Sequence, residues 1–273
     1  MLNFVSTPIG NLNDISLRAI DVIRSSDYLY AEDTRNTQKL LNFIKIKKKC
    51  KSFHEHNEEK ISKQIIQHIK NKKIISVLSD AGTPAISDPG YKLIQKCIHH
   101  NIKYTLIPGP SSVISGLLMS GLPTNRFTFY GFMPRKKNEK ENIILEIKNI
   151  SNTAILFESS RRLLGTLDLL SEFLGSSRKI SICKEMTKIH ENTIRGSISD
   201  VISIINNENI SIKGEIVIVI DGSKKTYSYN NLDLSKSIKK EFLKKMSASD
   251  ASKLISMLTK KNRRDVYKLI IED

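Results

Sequence analysis

The chain has 273 residues, of which 39% are hydrophobic and 26% are charged, a composition that excludes both a disordered tail and a membrane protein. Its 44 Lys and Arg exceed its 28 Asp and Glu by 16, which suits a polyanionic partner such as nucleic acid, although an AT-biased genome also raises lysine content. Three widely spaced cysteines and the lack of a signal-like N-terminus lead us to expect a cytoplasmic protein without disulfides, bound metal or membrane association.

In the first 120 residues, short β-rich segments alternate with amphipathic ones. Residues 74–79 are almost continuously apolar, which is typical of a strand in a sheet covered on both faces. We predict strands at residues 2–6, 28–32, 74–79 and 103–107, and helices at residues 15–25, 34–44, 61–69, 91–100 and 111–118. This alternation predicts an α/β domain with a largely parallel sheet over residues 1–120.

A Gly-Leu-Pro sequence at residues 121–123 interrupts this pattern and marks a predicted domain boundary. Beyond it we predict strands at residues 127–131, 153–158, 179–184 and 215–220, and helices at residues 136–147, 162–174 and 198–205. Residues 121–222 are therefore expected to form a second α/β domain.

Residues 223–273 differ in composition from the rest of the chain. A polar linker is predicted at residues 223–231, followed by helices at residues 235–246, 249–259 and 263–271, with Ser249 and Asp250 as the N-cap of the middle one. Residues 225–273 hold 12 Lys and Arg against 6 Asp and Glu. We expect a linker and a basic helical tail.

Small and polar residues follow the predicted strands of the first half, where open α/β sheets bind ligands. In residues 6–14, Gly10 permits a tight turn and Asn13 or Asp14 can cap the next helix, but the GxGxxG fingerprint is absent. Residues 31–35 combine two carboxylates, a hydroxyl and a guanidinium, of which Asp33 or Thr34 can serve as a helix cap.

The loop at residues 79–90 has two Gly, two Pro and two Asp directly after the most apolar strand of the first half. Its end reads as a helix start, with Asp88 as N-cap and Pro89 in the first turn. The small side chains before it favour close approach of a ligand to the backbone. In residues 108–112, Ser111 either caps the next helix or meets the polar edge of a cofactor.

Together these loops carry a family resemblance. The segments STPIGNLNDI, AEDTRNTQKLL, SDAGTPAISDPG, PGPSSVISGLLMSGLP and FTFYGFMPRK resemble the ribosomal RNA small subunit methyltransferase I family, a branch of the tetrapyrrole methylase-like superfamily. FESSRRLLGTLDLL, CKEMTKIHENTIRG and KGEIVIVIDG follow in matching order, so the resemblance covers about residues 3–222. It departs mildly at Ser6, where proline is common, and at Ser160-Arg161, where many members have Pro or Thr followed by His.

The resemblance implies two α/β domains of the tetrapyrrole methylase type with the cofactor in the cleft between them, and usually a homodimer. It implies S-adenosylmethionine-dependent 2′-O-methylation of the ribose of a single cytidine (1402 in conventional rRNA numbering) in the decoding region of 16S rRNA, within the small ribosomal subunit. By the same resemblance the cofactor contacts are Pro8, Ile9, Gly10, Asp80, Ala81, Gly82, Ser111, Ser112, Met186 and Ile216.

A ribose hydroxyl is a poor nucleophile until its proton leaves, so a carboxylate, histidine or perturbed lysine near the methyl group would assist. We favour Asp33 and Glu185 as the catalytic candidates over His54, His56 and the remainder of residues 184–188. For the RNA substrate, the predicted contacts are Arg35, Arg162 and Lys188.

Two other functions compete with this one. A tetrapyrrole or corrinoid C-methyltransferase typically has a GxGPGD-like first loop and a GDP-containing third loop, where this chain has STPIGNLND and SDAGTP. A non-catalytic RNA-binding relative would not need four intact cofactor loops. Binding of S-adenosylmethionine by the purified protein would separate the non-catalytic alternative from the enzyme.

Overall fold

A computed structural model describes residues 1–207, 214–223, 236–259 and 262–271. It divides into two compact units, Met1–Gly222 and Ser223–Asp273. Both predicted α/β regions lie in the first unit, and the domain boundary at residues 120 and 121 stays a prediction. No helix among the described residues has the length and apolar character needed to cross a bilayer.

The first sheet is entirely parallel, where the sequence predicted a largely parallel one. Its order is β3-β2-β4-β1-β5, and its strands are β1 (Leu2–Val5), β2 (Tyr28–Ala31), β3 (Cys50–Ser52), β4 (Ile75–Leu78) and β5 (Tyr104–Ile107). Every residue of β1 and β4 is buried, because helices cover both faces of a parallel sheet. The edge strand β3 was not predicted, because it has three residues and only Cys50 is even half-buried.

Five helices flank this sheet and form a separate apolar core on each side. They are α1 (Leu17–Ser25), α2 (Thr34–Phe43), α3 (Glu58–Lys70), α4 (Tyr91–His99) and α5 (Ser112–Ser120). Ile23 and Leu41 contribute to one core, and Ile65 and Leu93 contribute to the other. Helices α1 to α4 each connect two parallel strands, and such connections place helices on both faces of the sheet.

The caps of α1 and α4 differ from the sequence prediction. Helix α1 begins at Leu17 with Ser16 as its cap, whereas Asn13 and Asp14 belong to a short 3₁₀ turn, Leu12–Asp14. Helix α4 begins at Tyr91 and its N-cap is Gly90, with φ of 137°, so the prediction of Asp88 as the cap is wrong. A residue two positions before Gly90 lies outside the helix and cannot supply the cap.

The second sheet is mixed. Its order is β6-β7-β10-β8-β9, from strands β6 (Phe127–Phe132), β7 (Thr153–Ser159), β8 (Lys179–Lys184), β9 (Asn192–Ser197) and β10 (Glu215–Ile220). Only β6 and β7 are parallel. Strand β9 was not predicted, because Ile194 is its single apolar side chain and no position of it is fully buried.

The helices of this half cover only one face of the second sheet. Helices α6 (Lys137–Asn149), α7 (Leu163–Leu174) and α8 (Ile198–Asn207) share a core with that face. The other face packs against the first half of the unit, where Ile9, Val113 and Leu117 contact Cys183 and Val217. Helix α5 therefore joins the two sheets.

The C-terminal unit contains α9 (Lys236–Lys245), α10 (Ala248–Thr259) and α11 (Arg263–Ile271), with a small core of Ala251, Ile255, Val266 and Ile270. Ser247 caps α10, since its Oγ accepts a hydrogen bond from the Asp250 N–H at 3.1 Å; Ser249 lies inside the helix, so that predicted cap is wrong. Of the predicted linker at 223–231, residues 224–231 lie outside the described residues.

Candidate active site

A cavity of about 490 Å³ lies where the carboxyl ends of the first sheet face the second sheet. Loops after β1, β2, β4 and β5 form one wall, and β6, β7, β10 and the β8–β9 loop form the other. Open α/β sheets bind ligands at this end of their strands. The cavity is therefore the candidate active site.

Seven of the ten predicted cofactor residues line this cavity: Ile9, Asp80, Ala81, Ser111, Ser112, Met186 and Ile216. The structure thus brings together loops from both halves of the unit. Pro8, Gly10 and Gly82 are not among the residues that line it. Contact of any of the ten with a cofactor stays a prediction.

Gly82 ties two loops of the cavity wall together. Its backbone exchanges two hydrogen bonds with Thr7, at 2.9 and 3.0 Å, and the Thr7 hydroxyl donates to the Ser79 carbonyl at 3.0 Å. The φ of Gly82 is 88°, in the region that favours glycine. A substitution there would strain the backbone that holds the loops after β1 and β4 in register.

Gly10 lies where the first half approaches the β8–β9 loop. A Cβ placed on Gly10 would lie 2.5 Å from Lys188 Cγ and 2.6 Å from Thr187 Oγ1. The neighbouring Asn11 N–H donates to Thr187 Oγ1 at 3.0 Å. Glycine is required here for close contact between the two walls.

Three carboxylates from the first sheet line the cavity. Burial raises the pKa of Glu32, Asp80 and Asp88, and neighbouring carboxylates raise each of them further. The nearby His54 opposes this effect on Glu32, and the Asp33 N–H, which donates to Asp80 Oδ1 at 2.8 Å, opposes it on Asp80. For Asp88, burial followed by Glu32 and Asp80 brings the pKa to about 7. Sequence reasoning treated Asp88 as a helix cap, and the signal that it missed is the Pro89-Gly90 pair that delays the helix start.

Asp33 is instead a partly buried helix cap. Its Oδ1 accepts from the Arg35 N–H at 2.8 Å and Nε at 3.1 Å, and its Oδ2 lies 2.8 Å from Arg35 Nη2. These hydrogen bonds hold the pKa of Asp33 at about 2, which makes it a weak proton acceptor. Neither residue lines the cavity, and the Arg35 side chain is 86% exposed.

Glu185 and Lys188 lie in the β8–β9 loop beside the cavity. Glu185 Oε1 accepts from the Glu215 N–H and from Lys188 Nζ, each at 2.9 Å, and Lys188 Nζ lies 3.3 Å from Glu215 Oε2. Burial raises the pKa of Glu185, but these two donors outweigh it and leave the pKa below its ordinary value. Burial lowers the pKa of Lys188, but the carboxylates of Glu185 and Glu215 outweigh that effect and raise it.

The backbone of this loop is strained at Glu185, which has φ of 49°.

Arg162, predicted to contact substrate, is engaged within the protein. Its Nη2 lies 2.6 Å from Oε1 of Glu158, its Nε donates to Ser159 Oγ, and its Nη1 donates to the Met133 and Pro134 carbonyls. Glu158 lines the cavity. The guanidinium therefore stiffens the cavity wall, and its contact with RNA stays a prediction.

The residues present fit a methyl donor that carries a sulfonium cation and a flat aromatic base. The three carboxylates offer negative charge to the cation. Apolar side chains from both walls, including Ile9, Val113, Met186 and Val217, can enclose the base.

Comparison with known proteins agrees with this arrangement. The family model described as Tetrapyrrole (Corrin/Porphyrin) Methylases matches residues 1–202. A Rickettsia prowazekii protein named ribosomal RNA small subunit methyltransferase I is 42% identical over 266 residues, which cover 97% of this chain and 92% of that protein. Its namesake from Halalkalibacterium halodurans is 42% identical over 222 residues, which cover 81% of this chain and 76% of that protein.

Two solved structures share the fold at low sequence identity. Diphthine synthase matches with a TM-score of 0.62 and 17% identity, covering 81% of this chain and 89% of its own. Uroporphyrin-III-C-methyltransferase from Thermus thermophilus matches with a TM-score of 0.58 and 14% identity, covering 81% of this chain and 94% of its own. The predicted tetrapyrrole methylase fold is confirmed. The chain therefore belongs to the tetrapyrrole methylase family, in the branch of the ribosomal RNA small subunit methyltransferase I proteins, and it is a methyltransferase.

Proposed function

We propose that the chain transfers a methyl group from S-adenosylmethionine to the ribose 2′-oxygen of a single cytidine, number 1402, in the decoding region of 16S rRNA. The observation that carries this proposal is the similarity to ribosomal RNA small subunit methyltransferase I over nearly the whole chain, joined to an acidic cavity between the two sheets. We expect the reaction to take place in the cytoplasm, on the small ribosomal subunit.

The cavity would hold the methyl donor through both walls. Backbone and side chains at Ile9, Asp80 and Ser111 would meet it from the first sheet, and Met186 and Ile216 would close over it from the second. The bound donor supplies an already activated methyl group. The remaining task of the protein is to hold the acceptor oxygen in line with that methyl group and to take its proton.

Exposed basic residues follow two strands of the second-sheet wall and would meet RNA phosphates. Arg135 and Lys136 follow β6, and Arg161 follows β7. Phe132 lines the cavity with its side chain 58% exposed, which suits stacking on a base held outside a helix. These residues favour RNA as the partner of a chain with 16 more basic than acidic residues.

A homodimer is part of the proposal. Strand β5 is an edge of the first sheet, and Tyr104 and Leu106 on it are 40% and 45% exposed. Ile114 and Leu118 on α5 are 54% and 74% exposed. Exposed apolar residues grouped on an edge strand and a neighbouring helix suit an interface with a second copy.

The acidic wall argues against a porphyrin as the acceptor. A porphyrin substrate brings several carboxylates, and Glu32, Asp80 and Asp88 would repel them inside the cavity. A ribose hydroxyl carries no charge, so the same wall can accept its proton.

The test uses radiolabelled S-adenosylmethionine with small subunits, or with free 16S rRNA, from a strain that lacks the endogenous enzyme. We expect label only in 2′-O-methylcytidine at the proposed position, with assembled subunits as the better substrate. An Asp80→Arg variant should lose both donor binding and label. Tight binding of the donor without labelled RNA would contradict the rRNA assignment and direct the search to small-molecule acceptors.

A further inference from the structure

Helix α4 is capped from a different helix. The backbone N–H groups of Gly90, Lys92 and Leu93 all donate to Oε1 of Glu58, at 3.0, 3.0 and 3.4 Å. Glu58 is 4% exposed and belongs to α3. The donors at this helix start, which a local aspartate would ordinarily satisfy, are thus already occupied.

Asp88 is consequently free of the role that its position before Pro89 indicates. In the described part of the chain, no donor forms a hydrogen bond with the Asp88 carboxylate. The side chain lines the cavity and is partly buried. An unbonded acceptor in such a place is available to a ligand.

The charged groups around Asp88 come from both sheets. Glu32 and Asp80 raise its pKa from the loops after β2 and β4. Across the cavity, Glu158 is paired with Arg162, and Glu215 is paired with Lys188. In the part of the chain that the structure describes, Glu32, Asp80 and Asp88 form no salt bridge, since the Arg35 guanidinium is bound to Asp33; the nearby His54 lowers the pKa of Glu32.

The loop that carries Asp88 is held in an unfavourable backbone conformation. Ala85 and Ser87 have φ of 66° and 61°. A Cβ on Gly90 would lie 3.2 Å from Ala85 Cβ, so the loop folds tightly back on the helix start. Backbone strain of this kind concentrates at functional sites, where it fixes the direction of a side chain.

Resting on the proposed function, we propose that Asp88 accepts the proton of the ribose hydroxyl during methyl transfer, and that Glu58 is a positioning residue that keeps the Asp88 carboxylate free. The hydroxyl oxygen forms the new bond to the methyl carbon while the carbon–sulfur bond breaks, with its electron pair remaining on sulfur. The hydroxyl proton passes to Asp88 and then to solvent.

The charge on Asp88 is suited to this step at neutral pH. A general base is most effective when its pKa is near the working pH, and that of Asp88 is raised to about 7. A sulfonium in the cavity favours the ionised carboxylate, whereas the neutral thioether product does not. Donor binding and ionisation of Asp88 are therefore coupled, which gives a measurement independent of turnover.

The experiment compares wild type with Asp88→Asn, Asp88→Glu and the surface control Asp21→Asn, whose carboxylate is ion-paired with Arg24 away from the cavity. Single-turnover methylation of small subunits is measured across pH, and binding of S-adenosylmethionine and S-adenosylhomocysteine is measured by calorimetry. We expect Asp88→Asn to lower the single-turnover rate about 100-fold or more. Asp88→Glu should restore part of it, and the control should match wild type.

Binding separates this inference from the proposed function. The ratio of donor to product affinity should rise several-fold between about pH 6 and about pH 8 in wild type and stay constant in Asp88→Asn. If wild type methylates no RNA, the proposed function fails. In that case an affinity ratio that rises with pH in wild type and stays constant in Asp88→Asn still supports ionisation of Asp88 beside the donor. A ratio that rises equally in both proteins overturns the inference. With active wild type, an Asp88→Asn variant that keeps its rate and pH profile overturns the inference.

Glu58 is tested by the pH profile. In Glu58→Ala the freed N–H groups of α4 become available to Asp88, so the acid limb of the rate profile should move to lower pH and the rate should fall. Glu58→Gln keeps an acceptor oxygen and should recover the wild-type profile. A loss of rate in Glu58→Ala without a shifted profile would overturn the positioning role.

A divalent cation is the other ligand that carboxylates take. No group of three or more His, Cys, Asp or Glu side chains in the described ranges is arranged to hold a metal ion. Calorimetry with Mg²⁺ alone should show no binding. Mg²⁺ bound by wild type and lost in Asp88→Asn would overturn the inference.

Discussion

The guanidinium of Arg162 lies 2.6 Å from Oε1 of Glu158, whose side chain is fully buried in the cavity wall. Glu158 also accepts from Thr166 Oγ1 and from the Ser159 N–H, each at 2.7 Å. A buried carboxylate is tolerated only when it is paired and hydrogen-bonded in this way. The second sheet therefore depends on this pair where it meets the cavity.

Removing Arg162 should destabilise the protein. Arg162→Ala leaves Glu158 buried without its cation, and we expect the free energy of unfolding to fall by about 3 kcal/mol. Urea unfolding followed by circular dichroism measures it. The matched control is the exposed neighbour Arg161→Ala, which should change stability by less than about 0.5 kcal/mol but weaken binding to small subunits. Equal stability losses in both variants would contradict a role for the buried pair.

Asp33 should make stability depend on pH. Its pKa is about 2 in the folded protein and below its ordinary value, so the ionised form favours folding. This contribution is complete above about pH 4 and is lost as the pH falls toward about 2. We expect the stability difference between wild type and Asp33→Asn to shrink over that range.

The variant Asp33→Asn also tests which residue accepts the proton of the ribose hydroxyl. If Asp33 is the base, as predicted from the sequence, Asp33→Asn should lower the methylation rate at least as much as Asp88→Asn. The geometry favours the opposite order, because Arg35 occupies both Asp33 oxygens. Rates of the two variants at one pH decide between them.

A methyl group added at Gly116, where helix α5 packs on strand β10, should destabilise the protein. A Cβ there would lie 2.8 Å from Val217 Cγ1, so Gly116→Ala should cost about 1–3 kcal/mol of stability. The control is Gly165→Ala in α7, where a Cβ meets nothing within 4 Å and helix propensity favours alanine by about 0.5–1 kcal/mol. Adding Val217→Ala to Gly116→Ala should restore part of the loss in urea unfolding.

The proposed dimer should be sensitive to charge at Leu118. This side chain is 74% exposed on α5, so Leu118→Asp should leave the fold of a single chain intact. One chain has a mass of 31.0 kDa. We expect light scattering to give twice that mass for wild type and the mass of one chain for the variant. A dimer that survives Leu118→Asp and also Ile114→Asp would contradict the proposed interface.

Much of the fold could be predicted from local patterns. Most predicted strands and helices occur within about two residues of the observed bounds, because side-chain periodicity and helix start signals act over short segments. The parallel first sheet follows from the strand–helix alternation in residues 1–120. Strands β3 and β9 were missed because each is an edge strand with few buried residues, so neither has an apolar pattern.

The candidate site was predictable in part. The four loops that follow β1, β2, β4 and β5 could be recognised, since small and polar residues directly after apolar strands are typical of ligand-binding turns. Their convergence on the second-sheet wall depends on α5 packing against β10. The ion pair between Arg162 and Glu158 could not be predicted from the sequence, because an arginine near a cleft is equally consistent with a phosphate contact.

Asp88 shows where short-range reasoning ends. Pro89 directly after it favours a helix start, which makes a cap the local interpretation of Asp88, although Gly90 delays that start to Tyr91. Whether the carboxylate is free depends on Glu58, 30 positions earlier, and its pKa depends on Glu32 and Asp80 from other strands. Residue order thus specified the elements and the loops, whereas the protonation and availability of the groups in the cavity arose from contacts between distant segments, because burial and charge proximity exist only once the sheets are packed.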